Sequence, residues 1–368
     1  MLISVCIPQY NRSKYLLAVL ESIRVQDYPE VEVIISDDCS SDNSLEVIPK
    51  YIAAVQGTTH VRFNYIRQPK NLGYDGNLRA ALDAGQGDYL FVLGNDDALP
   101  DKHTLSKLAG VLAQLNYPDV SFTNFHLYGK PGDVQRRART TAVIGSGPEV
   151  ALKTFRSFSF VGGLVMKRTA FKQHNTAKYD CSVYVQIYLA ARTIASGGTL
   201  AAISESMVAK DVTFPGELVN SYLDTLVENN RTLHCHTGGL DQVGLVACDA
   251  ILPYVSPASR QRYVLKIYSQ LLMFTYPYWL FNYRRNKAYR AAVNVALGCF
   301  PTNLLKIPDV ALYVYACLII VFGATTIAGL FVPIKILSRM TGVMSQISKR
   351  VRASAGSAVA GKVEMPVN

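Results

Sequence analysis

Along the first 130 residues, short apolar runs alternate with segments whose apolar residues recur every three or four positions. The runs are LISVCI (2–7), VEVIIS (31–36), VRFNYI (61–66), YLFVL (89–93) and DVSFTNF (119–125), each followed by a polar turn. Runs this short and this rich in Val and Ile read as buried strands, and strands separated by helical segments predict an α/β fold, a mostly parallel sheet flanked by helices on both faces. Leu16, Leu17, Leu20 and Ile23 form one helical stripe, and Leu105, Leu108, Leu112 and Leu115 another. Asn43, with Glu46 three residues on, predicts the N-cap of a helix over Leu45, Val47 and Ile48.

The second half follows a different pattern. Helical periodicity dominates 216–283, most clearly in GELVNSYLDTLVENNRTL (216–233) and RQRYVLKIYSQLLMF (260–274). Between Asp309 and Lys335 no residue is charged, and a helix needs about 20 apolar residues to cross a bilayer core. Basic residues flank this stretch on both sides: Arg284, Arg285, Lys287, Arg290 and Lys306 before it, and Lys335, Arg339, Lys349, Arg350 and Arg352 after it. A single span would put one cluster on the wrong side, so a re-entrant or in-plane element with both ends cytoplasmic accounts better for the charges. Upstream, MFTYPYWLFNYRR (273–285) pairs aromatics with arginines, as expected at headgroup level. The expected organisation is therefore an α/β domain over 1–215, with halves 1–115 and 116–215, a helical region over 216–305, an apolar membrane segment over 306–337 and a flexible basic tail over 338–368.

Composition narrows the function classes. Charged residues are 17% of the chain and apolar ones 49%, which excludes a mainly disordered protein. A net charge of +10 suits nucleic acid, phosphorylated substrates or an anionic membrane. Nucleic acid is disfavoured, because the densest basic and aromatic cluster abuts the apolar segment rather than forming a separate groove. Seven scattered cysteines without a CxxC pair argue against disulfides or zinc. HCH (234–236) is set aside as a metal site, since residues two apart on a helix do not face each other. The N-terminus lacks the pattern of a signal peptide, so the domain is expected at the cytoplasmic face of the membrane.

In open parallel sheets, ligands bind outside the carboxyl ends of the strands. There the chain carries PQYN (8–11), SDDCSSDNS (36–44), RQPKNLGYDGN (67–77) and GNDD (94–97), with Arg67, Lys70 and Arg79 in or near the third loop. No P-loop or GxGxxG turn is present to hold phosphates. Asp96 and Asp97 could instead hold Mg²⁺ or Mn²⁺, which uses one or two carboxylates together with water and substrate phosphates. A second acidic pair, Asp37–Asp38, ends the neighbouring strand.

The stretches SVCIPQYNRSKYLLAVLESI, EVIISDDCSSDNS, NLGYDGNLRAAL and DYLFVLGNDDAL together resemble the N-terminal half of family 2 glycosyltransferases of the bacterial surface-polysaccharide type, which have the GT-A fold. The resemblance is strong over Leu2–Leu115 and weaker to about Asp211. It implies a nucleotide-sugar donor bordered by Pro8, Tyr10 and Asn11, with Asp38, Asn71 and Gly73 lining the same pocket. Asp96 and Asp97 would reach the metal and the diphosphate. Gly94 replaces the first acid of the family's D-x-D-D element, which lowers the negative charge of the site, and Cys39 replaces the glycine of the D-D-G-S turn.

The resemblance further implies hexosyl or deoxyhexosyl transfer with inversion, onto an oligosaccharide or a polyprenyl-diphosphate-linked glycan. The base that takes the acceptor proton would be Asp180, in the stretch KYDCSVYVQIYLAARTIASGG (178–198) that follows FVGGLVMKRTAF (160–171). Two alternatives stay open: Asp180 as a plain acid near a helix start, and Asp211 as the base. The rival function is a non-catalytic sugar-nucleotide-binding or membrane-associated regulatory protein. The sequence does not fix the oligomeric state.

Overall fold

The computed structural model describes residues 1–217, 239–285, 287–334 and 336. The expected helix over 216–233, the HCH motif and the basic tail therefore lie outside the described residues, apart from 216 and 217. The chain divides into two compact units, one of Met1–Ser146 with Arg156–Asn220, the other of Gly147–Phe155 with Ser221–Asn368. Residues 147–155, expected in the α/β domain, thus belong with the helical unit.

The first unit is built on nine strands, β1 (Ile3–Gln9), β2 (Val31–Asp37), β3 (Arg62–Arg67), β4 (Tyr89–Val92), β5 (Val120–Leu127), β6 (Lys130–Gln135), β7 (Ala142–Gly145), β8 (Leu164–Lys167) and β9 (Leu200–Lys210). They form one sheet in the order β3-β2-β1-β4-β8-β5-β9-β7, with β6 paired to β5. Helices α1 (Ser13–Arg24), α2 (Ser44–Val55), α3 (Gly73–Ala84) and α4 (Thr104–Gln114) follow the first four strands. Strands β1 to β4 are mutually parallel, and β1 and β4 are buried along their whole length apart from a half-buried Pro8, so they read as continuous apolar runs. The sheet is mixed beyond β4, because β8 runs antiparallel to both β4 and β5. Strand β8 lies within FVGGLVMKRTAF (160–171), and its four residues are too few for a periodic signal.

The parallel register brings the functional loops together. Gln9 pairs with Asp37, Asp37 with Arg67, and Cys6 with Val92, so these strands end side by side. Helix α3 is fastened beneath them by Asn77, whose Nδ2 donates to the Gln9 carbonyl at 3.1 Å and whose Oδ1 accepts from Ser36 Oγ at 2.7 Å. Gln9 Oε1 in turn accepts from Asn95 Nδ2 at 2.9 Å.

Local details depart from the sequence pattern at two helices. On α1 the buried stripe is Leu16, Val19, Leu20 and Ile23, with Leu17 only half-buried. At α2 Asn43 occupies the N-cap position but makes no capping bond, since its Oδ1 accepts from Ser13 Oγ at 2.6 Å. Asp42 takes over: its Oδ1 accepts from the Ser44 amide at 3.0 Å and its Oδ2 from the Ser13 amide at 3.1 Å. One carboxylate thus sits at the positive ends of both α1 and α2.

The helical unit contains α5 (Pro148–Thr154), α8 (Gly239–Ile251), α9 (Arg260–Gln270), a π turn over Leu271–Thr275, α10 (Tyr276–Arg285), α11 (Tyr289–Gly298) and α12 (Leu312–Phe331). The first unit holds α6 (Arg168–His174) and α7 (Val185–Ala195). Within the helical unit, Tyr263 Oη donates to Glu149 Oε2 at 3.0 Å, and Gln270 Nε2 donates to the Leu152 carbonyl at 3.1 Å.

Asn77 is 2% exposed, so its removal leaves a buried carbonyl and a buried hydroxyl to find other partners. Asn77→Ala is expected to lower unfolding free energy by about 2 kcal/mol, measured by urea denaturation.

Candidate functional site

Three groups of side chains meet at the carboxyl ends of the parallel strands. The first is the Asp38 loop. Asp38 is buried, and its Oδ1 accepts from the Leu72 amide at 2.5 Å. Asn71 Nδ2 donates to the Asp38 carbonyl at 3.3 Å, while the Gly73 amide donates to Asn71 Oδ1 at 2.9 Å. Burial raises the Asp38 carboxyl above its ordinary range, against the pull of the Leu72 and Gly73 amides. Its neighbour Asp37 is spent on structure: it accepts from the Ser40 amide at 2.9 Å and from the Tyr65 hydroxyl. Cys39 has φ +58°, the left-handed conformation that explains why a glycine suits this turn.

The β1 loop closes over the same edge. Asn11, at φ +49°, accepts through Oδ1 from the amides of Ser41 (2.8 Å) and Asp42 (3.2 Å), and so ties the two loops together. Tyr10 is 46% exposed and Pro8 is half-buried, leaving the Tyr10 ring open to a ligand.

The second group is acidic. Asp96 forms an ion pair with Arg12 and retains 20% side-chain exposure. Asp97 is 3% exposed, and its Oδ1 accepts from the Asp211 amide at 3.2 Å. Asp211, with φ +60°, pairs with Lys210 at 2.5 Å, and the Val212 amide donates to the Asp96 carbonyl at 2.7 Å. Asp97 is pushed up to about 7, by burial first and by the Asp96 charge second. Burial also raises Asp211. Asp96 and Asp97 were expected to face a cation as a pair. Here only Asp96 reaches the surface, because Asp97 is turned inward: a Cβ on Gly94 would lie 2.6 Å from Asp97 Oδ2, and one on Gly162 would lie 2.8 Å from it. Among the described residues no three His, Cys, Asp or Glu side chains are grouped to hold a metal ion.

The third group surrounds Asp180. Both its oxygens accept from Arg79, Oδ1 from Nε at 2.8 Å and Oδ2 from Nη2 at 2.5 Å. Arg79, placed by sequence with Arg67 and Lys70 in or near the third loop, is thus committed to a carboxylate. The following turn is strained, with Cys181 at φ +69° and the β-branched Val183 at φ +67°. It is held by the fully buried Asp75 of α3, whose Oδ2 accepts from the Val183 amide (2.6 Å) and Oδ1 from the Val185 amide (3.0 Å) at the start of α7. Tyr74 is raised, by desolvation first and then by the charges of Asp75 and Asp97.

Sequence reasoning missed Arg12, Asp75 and Arg137. Arg137 is half-buried, and desolvation of its guanidinium lowers it to about 9. It donates to the carbonyls of Thr123 (2.7 Å), Phe160 (2.8 Å), Gly162 (2.7 Å) and Ser157 (3.2 Å), against the rings of Phe122, Phe125 and Phe160. It fixes the loop that seals Asp97. An arginine in a polar stretch gives no periodic signal of burial, whereas Arg12, one residue beyond PQYN, could have been found by asking what neutralises Asp96.

The sheet order and these acidic strand ends define a GT-A fold. The structure of TarS 1–349 of Staphylococcus aureus in complex with UDP-GlcNAc aligns with a TM-score of 0.56 at 17% identity, over 89% of this chain and 91% of that one. Residues 4–174 match the model of glycosyl transferase family 2, and this part of the chain is a domain of that family. Among curated proteins, the abequosyltransferase RfbV of Salmonella typhimurium is 40% identical over 101 residues, 27% of this chain and 29% of that protein. The GalNAc(5)-diNAcBac-PP-undecaprenol β-1,3-glucosyltransferase of Campylobacter jejuni is 31% identical over 97 residues, 26% and 30% of the two chains. The alignments thus span less than a third of these curated relatives.

Asp97 gives the site a pH signature. A folded carboxyl that keeps its proton up to about 7, where an unfolded one loses it near 4, stabilises the fold below pH 4 and withdraws that contribution as pH rises to about 7. In metal-free buffer, unfolding midpoints of the wild type should fall relative to those of Asp97→Asn across that window and run parallel to them above it.

Proposed function

We propose that the protein is an inverting glycosyltransferase that moves a hexosyl or deoxyhexosyl group from a nucleotide-sugar donor to a polyprenyl-diphosphate-linked glycan at the cytoplasmic face of a membrane. The observation that carries this reading is the meeting of the β1, β2 and β4 loops in a family 2 domain, which brings the Asn11-tied Asp38 loop and the Arg12–Asp96 pair to one edge of the sheet. The nucleotide lies against Tyr10, Pro8 and Asn11, with Asp38, Asn71 and Gly73 beneath it. Support for a lipid-linked acceptor comes from the Campylobacter relative, whose name specifies an undecaprenol-linked glycan, and from the apolar helix α12.

The acceptor hydroxyl attacks the anomeric carbon opposite the diphosphate, the bond from that carbon to the diphosphate oxygen breaks, and the departing oxygen keeps the electron pair. Asp180 takes the hydroxyl proton. Arg79 fixes both oxygens of Asp180 as a third member orients a base, and a carboxylate so held still has lone pairs to accept with. Arg12 offers positive charge to the departing diphosphate. The donors here are all oxygens, which fits a hard cation, Mg²⁺ or Mn²⁺, held by Asp96 with Asp97 behind it. When bound, such a cation neutralises leaving-group charge. Asp211 is the second candidate base, because it shares the acidic cluster with Asp96.

The test is a panel of nucleotide sugars screened for thermal stabilisation and then for turnover. Asp180→Asn should keep donor stabilisation and lose transfer by about 10²- to 10⁴-fold, with Asp211→Asn losing less. The reverse ranking would move the base to Asp211. Stabilisation without turnover on any glycan acceptor would instead favour a non-catalytic binding protein. Asp96→Ala should remove the part of donor stabilisation that depends on Mn²⁺.

A further inference from the structure

Helix α12 is packed on one side only. Val314 and Leu318 are fully buried, and Gly329 lies so close to Leu280 of α10 that a side chain there would clash. The Tyr276 and Thr326 hydroxyls hydrogen-bond at 2.7 Å, and the Tyr276 ring stacks on Phe322 with centroids 5.7 Å apart. Arg284 is 8% exposed, and its Nη1 donates to the carbonyls of Gly329 (2.6 Å) and Val332 (2.9 Å). Two carbonyls at the end of α12 are therefore satisfied from within the unit.

The other side is apolar and open. Tyr313, Cys317, Ile320, Ala324, Ile327 and Phe331 are all exposed, at spacings of four, three, four, three and four that place them on one face. Ile320 is 70% exposed and Phe331 77%, and only 17% of the most apolar window of this helix is buried. Helix α11 adds a second exposed stripe, Tyr289, Val293 and Leu297, the last 73% exposed. Monomeric soluble proteins rarely leave this much contiguous apolar surface in water.

We propose that the α11–α12 face is a monotopic membrane surface: α12 lies in the plane of an anionic leaflet, its open stripe among the acyl chains and its packed side toward the protein. This deepens the membrane association named above and rests on that reading only for the cytoplasmic leaflet. A spanning α12 would drag α10 and Arg284 to bilayer depth with it, because they are fastened along its length. Charge selects lipid over a second copy of the chain. Between residues 276 and 334 the exposed charged side chains are Arg285, Lys287, Arg290, Lys306 and one acid, Asp309. Two such faces repel each other, whereas anionic headgroups attract them.

Flotation of the full chain with vesicles of phosphatidylcholine, with and without phosphatidylglycerol, tests the surface. The wild type should bind, more tightly with phosphatidylglycerol. Ile320→Glu/Ile327→Glu should lose about tenfold or more in partitioning with unchanged circular dichroism, and Arg290→Ala/Lys306→Ala should lose only the phosphatidylglycerol increment. Ile320→Trp in a Trp279→Phe background reports depth: stronger quenching by nitroxides near the headgroup than at the acyl terminus is expected for an in-plane helix. The reverse quenching order, undiminished binding of the glutamate variant, or a dimer that the glutamate variant splits would each overturn the proposal. Donor-induced thermal stabilisation of the same glutamate variant reports separately on the sugar-transfer reading, so failure of one leaves the other standing.

Discussion

The C-terminal unit aside, the structure depends on one constraint: strands that end side by side bring their terminal carboxylates into one small volume, and each must find a donor or a cation there. Register makes this unavoidable, since Gln9 pairs with Asp37 and the β4 strand leads straight into Gly94–Asp97. A buried carboxylate without partners costs several kcal/mol. The fold answers with a different partner at each position: backbone amides for Asp38 and Asp75, Ser40 and Tyr65 for Asp37, Arg12 for Asp96 and Arg79 for Asp180. These acids differ in how much of each stays open. Asp37 and Asp75 are wholly buried, whereas Asp96 and Asp180 keep 20% and 28% side-chain exposure.

The same constraint explains the strain near the site. Cys39, Asp211, Cys181 and Val183 all hold positive φ, and each lies in or next to a loop pinned by one of these carboxylates. Val183 is the costliest, being β-branched, and its conformation is held by two amide bonds to one buried carboxylate at the head of α3. A loop fixed in that way keeps Asp180 in place against Arg79, so the placement of Asp180 rests on a residue that never meets solvent.

Strands β1, β2 and β4 were legible because buried parallel strands are continuous apolar runs; β3 also lies where a run falls, but as an edge strand whose residues are exposed or half-buried rather than buried. Their loops could then be read as one edge, and the family resemblance assigned Asp38, Asn71 and Gly73 of two of those loops to one pocket. Strand β8 escaped because four residues carry no period, and with it escaped the mixed character of the sheet. The partners of the acids escaped for another reason. Arg12, Arg79 and Arg137 are all polar residues in polar stretches, and packing gives them different partners: Arg12 pairs with Asp96, Arg79 with Asp180, and Arg137 donates to four backbone carbonyls. Helix α12 was legible as apolar, but its one-sided packing was not, since its residues are apolar on both faces.

Gly94 shows how a departure from a family pattern can be one feature rather than two. Its missing acid first reads as a weakened metal site, and the inward turn of Asp97 as a separate loss. Yet any Cβ at 94 would press on Asp97 Oδ2, as would one at Gly162, and Arg137 holds the Gly162 carbonyl from the far side. The space a side chain would fill at 94 is the space Asp97 occupies. Asp97 can be sealed inward because residue 94 has no side chain, and once sealed it raises its own proton affinity through burial and through Asp96. That leaves Asp96 as the exposed carboxylate of the pair, with a guanidinium in place to balance it. Restoring an acid at 94 would therefore displace Asp97 before it added a ligand, so the glycine and the buried aspartate stand or fall together.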